Sequence, residues 1–284
     1  MNVDFVPDPA LYPFESRWFE SSAGRMHYVD EGTGPTILFC HGNPTWSFLY
    51  RHLVIALRGQ FRCVAADLHG FGLSERPDAG FRYTAAEHVA TLGELVDHLD
   101  LNDFVVMGQD WGGPTGLSIA TQRAERIRGV VLGNTWFWPA TPLFRAFSFA
   151  AGSPPGQWLI RDRNFFVEGF LPRGMTRHLS PAEMDHYRRV QPTAAARAGI
   201  AAFPQQIRSA PLLATLEGTV TERLGSKPAL IVWGMRDWGF RARDRTRARA
   251  AFSDHIYREL PAAAHFIQED APTEIANAIT HQFR

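Results

Sequence analysis

The sequence has few cysteines, no net charge and no long apolar run, and each absence excludes a class of protein. Only two of its 284 residues are cysteine, and 29 basic residues balance 29 acidic ones. A disulfide-rich secreted scaffold is therefore not expected, nor is binding to nucleic acid or an anionic membrane through a global positive field. No run approaches the roughly 20 apolar residues that a membrane-spanning helix needs. We expect a small or uncharged partner, no nucleic acid and no membrane.

The N-terminal segment and the two cysteines indicate where the protein acts. The segment MNVDFVPDPALYPF lacks the basic start and the apolar core of a signal peptide, so we expect a cytoplasmic protein. Cys40 and Cys63 fall within predicted buried strands, where a reduced cysteine acts as a small hydrophobic residue. Neither cysteine is predicted to bind a metal or to carry redox chemistry.

Short apolar runs alternate with helical segments along most of the chain. The runs, which suit strands covered on both faces, are residues 36–40, 61–66, 104–107, 130–132 and 229–233. The predicted helices between them are residues 47–57, 84–99 and 114–124, and a hairpin at 17–32 precedes them all. This alternation predicts an α/β protein with a mostly parallel, doubly wound sheet. In such a sheet the functional groups gather at the carboxyl ends of the strands.

The alternation stops between residues 136 and 213, a stretch rich in Phe, Pro and Ala. We predict a helical cap there, inserted after the sixth strand, and a core domain formed by residues 1–135 and 214–284. The aromatic residues of the cap can line an apolar substrate cavity, but most are expected to pack between cap and sheet. They are Trp136, Phe137, Trp138, Phe144, Phe147, Phe149, Phe165, Phe166 and Phe170.

The stretch GQDWGG at residues 108–113 joins a predicted strand to a predicted helix. This pattern is typical of a nucleophile elbow, in which glycines admit a sharp turn that a Cβ would obstruct. The residue at its tip is Asp110, whose carboxylate is ionised at neutral pH and can attack a saturated carbon without an activating base. The elbow therefore predicts an alkyl-enzyme ester. The alternative is a turn whose aspartate only caps the following helix.

Hydrolysis of such an ester requires a water activated by a base on another loop. Of the eleven histidines, His265 is favoured because it follows the predicted last strand at 256–260, on a loop at the carboxyl edge of the sheet. The alternative is a surface-loop histidine. A carboxylate should orient the base, and Asp237 directly follows the seventh strand, whereas no acid follows the sixth. Asp244 is the fallback, disfavoured because it lies in an arginine-rich segment.

Two uncharged donors are predicted beside Asp110. Asn43 follows the strand that ends at residue 40 and should face Asp110 across the strand ends, and Trp111 follows Asp110 directly. An amide and an indole can hold an anion through N–H groups that carry no full charge, and their backbone N–H groups can form an oxyanion hole. The alternative is that Trp111 only packs under the cap and Asn43 only holds its turn.

Five motifs occur in order along most of the chain: HGNPTWSFLYR, DLHGFGLSERP, GQDWGG, GMRD and AHFIQED. Together they resemble the haloalkane dehalogenase family, which has the α/β-hydrolase fold. The closest resemblance is to the group with an Asp-His-Asp triad and an Asn/Trp halide-binding pair. Where the acid follows the sixth strand in this family it is a glutamate, and none is present here. The roles that the resemblance implies are nucleophile for Asp110, base for His265, orienting acid for Asp237, and halide donors for Asn43 and Trp111.

The implied reaction converts a halogenated hydrocarbon and water to alcohol, halide and proton, with no metal and no organic cofactor. An epoxide hydrolase would share the nucleophile, base and acid, but enzymes of that kind usually use two cap tyrosines, and the cap offers only Tyr187. An ester hydrolase would need serine at position 110, and a haloacid enzyme would need arginine in place of Trp111. A noncatalytic small-molecule receptor is the remaining alternative, and it predicts a broken triad.

Overall fold

The computed structural model describes residues 4–77 and 80–284, and its centre is one eight-stranded sheet in the order β1-β2-β4-β3-β5-β6-β7-β8. The strands are β1 Arg17–Ser21, β2 Gly24–Glu31, β3 Thr36–Cys40, β4 Arg62–Ala66, β5 Phe104–Asp110, β6 Ile127–Thr135, β7 Ala229–Gly234 and β8 His255–Leu260. The hairpin strands β1 and β2 are antiparallel, and all other pairs of neighbours are parallel except β2 with β4. The predicted α/β fold class is confirmed.

The central strands are apolar at consecutive positions because helices cover both faces of the sheet. The predicted strands are in the right places, but three of them end too early, β7 by one residue. β5 continues to Asp110 and β6 to Thr135, and these two residues are partners in the parallel register. The added residues are glycines and polar residues, which the apolar pattern does not mark.

Helices connect the strands and cover the sheet. They are α1 Arg51–Leu57, α2 Ala85–His98, α3 Gly112–Gln122, α4 Pro142–Gly152, α5 Pro154–Arg161, α6 Leu171–Arg173, α7 Pro181–Arg189, α8 Ala198–Ser209, α9 Leu212–Leu224, α10 Ala242–Ala250, α11 Ile267–Asp270 and α12 Pro272–Phe283. Two short 3₁₀ turns, Ser47–Tyr50 and Ala124–Arg126, and a π-helical turn, Phe166–Phe170, complete the elements. Capping boxes at Thr84 and Ser180 fix where α2 and α7 begin.

Residues 136–213, all of which the structure describes, contain helices and loops without a strand. The predicted boundary at residue 213 falls inside α9, and α9 packs against α3. The predicted core range 1–135 includes residues 1–3 and 78–79, which lie outside the described residues.

The aromatic residues of this helical region divide into a packed set and an exposed set. Six of the nine pack into the hydrophobic core, as most were expected to: Trp136, Phe137, Trp138, Phe144, Phe166 and Phe170. The other three, Phe147, Phe149 and Phe165, are 39%, 60% and 42% exposed, so the prediction that most of these residues pack in the core is confirmed. Composition could not separate the two sets, since both occur in the same helices and loops.

Both cysteines are free and buried, as their strand positions predict. Burial raises the pKa of each thiol to about 12, so both stay protonated at neutral pH and act as small apolar side chains. Every helix within residues 4–77 and 80–284 is too short or too polar to cross a lipid bilayer.

Candidate active site

Asp110 lies on a sharp turn between β5 and α3. Its φ is 51°, in the left-handed region that side chains rarely adopt. The two glycines that follow make the turn possible. A Cβ at Gly112 would clash with the carbonyl oxygen of Cys40, and one at Gly113 would clash with the Thr135 hydroxyl. The predicted elbow is present, and its tip carries a carboxylate.

The Asp110 carboxylate is held by groups from other segments. The backbone N–H of Asn43 donates to Oδ1 at 2.8 Å, and the backbone N–H of Trp111 also hydrogen-bonds to the carboxylate. Burial raises the pKa of Asp110 above its ordinary 3.8, while the charge of His265 and these two N–H groups act in the opposite direction. The N-terminal end of α3 has no side-chain cap, which argues against a purely capping aspartate.

His265 joins the nucleophile to the acid. Its Nδ1 donates to Asp237 Oδ2 at 2.9 Å, and its Nε2 lies 3.7 Å from Asp110 Oδ2. Burial alone would lower the pKa of His265, but the charge of Asp237, the hydrogen bond to it and the charge of Asp110 raise the pKa above its ordinary value. The three predicted triad positions therefore meet at the carboxyl edge of the sheet.

Asp237, not the fallback Asp244, meets the histidine. Burial would raise the pKa of Asp237, but the charge and hydrogen bond of His265 lower it, with further help from Asn134 and the backbone N–H of Gly239. The carboxylate therefore stays ionised beside the base. Asp244 lies in the first turn of α10, where its carboxylate accepts the backbone N–H of Arg241 at 2.9 Å.

Asn134 is a site residue that the sequence did not reveal. It is the last residue but one of β6, and its amide donates to Asp237 Oδ2 at 2.8 Å and to the Gly234 carbonyl at 3.1 Å. Its Oδ1 accepts the Gly234 N–H at 2.7 Å, so the amide locks the ends of β6 and β7 together and holds the acid in place. The available signal in the sequence is a side-chain amide near the end of the sixth strand, where no carboxylate is present.

Gln109 is the second residue that sequence reasoning missed. Its side chain is fully buried, and its Nε2 lies 3.0 Å from both Nε2 and the carbonyl oxygen of His265. It occupies the variable position before Asp110 in the elbow. No local pattern indicates a contact with a residue 156 positions away.

Asn43 contacts the nucleophile through its backbone N–H, and Trp111 directly follows Asp110 in the chain. Asn43 Nδ2 donates one N–H to the carbonyl of Ile200 on α8 at 3.2 Å, which leaves the second N–H of the same amide for a ligand. The Trp111 ring is buried between Trp136 and Phe203, with both ring centroids 4.8 Å away. Their roles as halide donors stay predictions.

Among the described residues, one group of side chains has metal-ligand spacing: His52, Glu183 and Glu269, whose ligand atoms lie within 4.8 Å of one another. Two arginines already occupy these carboxylates. Arg51 donates to Glu269 at 2.6 Å and to Glu183 at 2.8 Å, and Arg177 pairs with both. We assign this cluster a structural role.

Comparison with known proteins agrees with the fold and with the geometry of the site. Residues 35–272 match the family model of the alpha/beta hydrolase fold. Haloalkane dehalogenase 2 of Mycobacterium tuberculosis is 60% identical over 286 aligned residues, which cover 100% of both chains. The chain belongs to the haloalkane dehalogenase family. The resemblance carried by the five motifs is therefore confirmed.

Solved haloalkane dehalogenases have the same architecture. A putative ancestral haloalkane dehalogenase superposes with a TM-score of 0.85 at 28% identity, covering 93% of this chain and 97% of the other. Haloalkane dehalogenase DatA of Agrobacterium tumefaciens gives a TM-score of 0.85 at 26% identity, covering 97% and 98%. A more distant relative is a cis-3-alkyl-4-alkyloxetan-2-one decarboxylase of Shewanella oneidensis, 30% identical over 95% of this chain and 89% of its own.

Proposed function

We propose that the protein hydrolyses carbon–halogen bonds in haloalkanes through an alkyl ester on Asp110. The observation that carries the proposal is a carboxylate, not a hydroxyl, at the tip of the elbow, with His265 Nε2 3.7 Å from Asp110 Oδ2. A carboxylate at this place can displace a halide, whereas a serine there would support acyl transfer.

In the first step Asp110 attacks the halogen-bearing carbon in line. A carbon–oxygen bond forms while the carbon–halogen bond breaks, and the halide leaves with the bonding electrons. The indole N–H of Trp111 and the second amide N–H of Asn43 donate to the departing ion. Because these donors are neutral, they stabilise the developing charge without binding the halide product as tightly as a buried cation would.

In the second step His265 takes a proton from water, and the hydroxide attacks the carboxyl carbon of the ester. The oxygen that accepts the Asn43 N–H at 2.8 Å becomes the oxyanion, and the backbone N–H of Trp111 supports it. Asp237 stabilises the imidazolium. Collapse of the intermediate releases the alcohol and restores the Asp110 carboxylate, and one proton is released overall.

Two alternatives find less support. Epoxide opening requires an acid near the substrate oxygen, but the hydroxyl of Tyr187 is buried and donates to Glu269 at 2.6 Å. A noncatalytic receptor has no need of an intact triad. Here His265 contacts Asp237 directly and lies next to Asp110.

A substrate panel tests the proposed function. Purified protein is incubated with 1,2-dibromoethane, with styrene oxide and with a cis-3-alkyl-4-alkyloxetan-2-one, and halide, diol and alkene are measured separately. We expect bromide release from the first and little conversion of the other two. Conversion of the epoxide or the lactone without bromide release would assign the site to another reaction.

Replacing Trp111 with phenylalanine should slow halide release by about 100-fold, the usual effect of removing one preorganised donor. The ring packing against Trp136 and Phe203 is kept, so the melting temperature should change little. Trp46→Phe is the matched control, because it removes a buried indole N–H that donates to the His186 carbonyl at 3.1 Å instead. Equal rates in wild type and Trp111→Phe would remove the halide role of this residue.

The pH dependence of ester hydrolysis should differ from the titration of His265 in the free enzyme. His265 is a base only when neutral, so hydrolysis is lost as the pH falls through its pKa. The charge of Asp110 helps to raise the pKa of His265, and that charge is absent in the alkyl ester. The acid limb of single-turnover hydrolysis should therefore lie at lower pH than the NMR titration of His265 in the free enzyme. An acid limb at equal or higher pH would contradict this coupling.

We also propose that residues 136–213 act as a cap over the strand ends and that the protein is cytoplasmic. The carbonyl of Ile200 on α8 supports the first proposal, since it orients the Asn43 amide. Two buried, unpaired cysteines are compatible with a reducing compartment.

A further inference from the structure

The amide of Gln109 contacts the atom of His265 that has to take the proton from water. Gln109 Nε2 lies 3.0 Å from His265 Nε2 and 3.0 Å from the backbone oxygen of the same residue. Its two N–H groups therefore bind two atoms of one histidine. Gln109 is fully buried, and its Oε1 has no hydrogen-bond partner among the described residues.

The contacts fix the orientation of this amide. A backbone carbonyl can only accept a hydrogen bond, so the Gln109 atom beside the His265 carbonyl must be the nitrogen. The same nitrogen therefore presents a donor to His265 Nε2, which must carry a lone pair. The proton of the neutral ring is then on Nδ1, where it is donated to Asp237 Oδ2 at 2.9 Å.

Protonation of His265 would break this arrangement. An imidazolium carries N–H on Nε2, which would place two donors 3.0 Å apart. Rotating the amide does not resolve the conflict, because Oε1 would then face the carbonyl oxygen of His265. The charged groups that face the ring, Asp237 at Nδ1 and Asp110 near Nε2, both favour the imidazolium. The Gln109 N–H has the opposite effect, because it stabilises the neutral ring.

We propose that Gln109 is a positioning residue for the base and, if the function proposed above is correct, a placeholder for the hydrolytic water. In the free enzyme its amide caps Nε2, holds the ring in the Nδ1–H tautomer and disfavours the imidazolium. After the alkyl ester forms, water displaces the amide and donates a hydrogen bond to the same Nε2 lone pair, so the neutral ring keeps a donor there. The unpartnered Oε1 of Gln109 then offers an acceptor for the second hydrogen of that water.

The tautomer of the wild-type protein tests the first half of the proposal without any substitution. Nitrogen-15 NMR of the imidazole at a pH above its titration distinguishes Nδ1–H from Nε2–H, with His265→Phe used to assign the signal. We expect the Nδ1–H form. An Nε2–H ring in the free enzyme would overturn the proposal.

Substitution of Gln109 tests its effect on the titration of His265. In Gln109→Leu the donor to the neutral ring is lost, and we expect the pKa of His265 to rise by about one unit, the size of one such hydrogen bond. Gln109→Glu replaces the donor by an acceptor and should raise the pKa further. An unchanged or lowered pKa in either variant would overturn the proposal.

Gln191→Leu is the matched control. Gln191 is a buried glutamine whose Nε2 donates to the carbonyls of Pro44 and Tyr187 and whose Oε1 also has no partner among the described residues. The Gln191→Leu variant should lose a comparable amount of packing and leave the pKa of His265 unchanged. The NMR readout needs no turnover, so absence of halide release would count against the proposed reaction and leave the test of Gln109 valid. Conversely, halide release by wild type with an unshifted pKa in Gln109→Leu and Gln109→Glu would reject only the role of Gln109.

Discussion

Replacement of His265 with phenylalanine is expected to stop turnover after one release of halide and to leave the alkyl group of the substrate on Asp110. The base is needed only for the second step, because an ionised carboxylate attacks the carbon without help. General-base assistance is worth roughly 10²- to 10⁴-fold, and its loss should make the ester long-lived. A phenylalanine ring suits the site, where the imidazole stacks on Phe240 at 5.6 Å and packs against Phe266 at 4.7 Å.

Intact-mass and peptide spectrometry after incubation with 1,2-dibromoethane measure this outcome. We expect a single adduct on the peptide that contains Asp110, with about one bromide released per protein molecule. The double variant Asp110→Ala with His265→Phe is the control and should stay unmodified. An unmodified His265→Phe protein after prolonged incubation would remove the covalent mechanism.

Replacing Arg51 with methionine should destabilise the fold by about 3–5 kcal/mol, the usual cost of removing one partner from a buried ionic network. Arg51 is fully buried and donates to Glu269 at 2.6 Å and to Glu183 at 2.8 Å, while the Tyr187 hydroxyl also donates to Glu269. These contacts join α1, α7 and α11. Without Arg51, Arg177 would be the one arginine among the described residues that pairs with the two buried carboxylates.

Urea unfolding of Arg51→Met and of Arg188→Met compares the stability lost when a buried ion pair and an exposed ion pair are removed. Arg188 donates twice to Glu168 at 2.8 Å, but both side chains are about two-fifths exposed, and such pairs are worth about 1 kcal/mol or less. A loss in Arg51→Met no larger than in Arg188→Met would contradict the structural role of the cluster.

The stability of the wild-type protein should also depend on this cluster at acid pH. Burial would raise the pKa of Glu183, but its hydrogen bond with Arg177 and the backbone N–H of Ser180 lower the value from 4.5 to about 2. A carboxylate whose pKa is lowered by folding contributes its full stabilisation at pH values above its ordinary pKa. That contribution is lost as the pH falls through the lowered pKa. Between pH 4.5 and 2 the free energy of unfolding should therefore fall more in wild type than in Glu183→Gln.

The three candidate triad positions could be predicted to meet because each lies at or shortly after the carboxyl end of a strand, and the ends of parallel strands meet at one edge of a sheet. Asp110, Asp237 and His265 needed no knowledge of side-chain packing. The amides of Gln109 and Asn134 could not be found in the same way. Glutamine and asparagine at a strand end are common, and their importance appears only when a partner more than 100 residues away is in place.

Other features of the fold depended on contacts that the sequence does not mark. Arg51 and Glu269 are separated by 218 positions, and neither belongs to a pattern that indicates an ion pair. The exposed rings of Phe149 and Phe165 carry the same local composition as the packed ones. Apolar periodicity gives the elements and their order, whereas pairings across the chain follow from packing.

The origin of the product oxygen tests the central claim most directly. A single turnover is run with enzyme in excess over 1,2-dibromoethane in water enriched in heavy oxygen, and the alcohol and the Asp110 peptide are analysed by mass. An alkyl ester on Asp110 predicts an unlabelled alcohol, whose oxygen comes from the carboxylate, and one heavy oxygen in the peptide. A labelled alcohol with an unlabelled peptide would show that water attacks the substrate directly and would contradict the account.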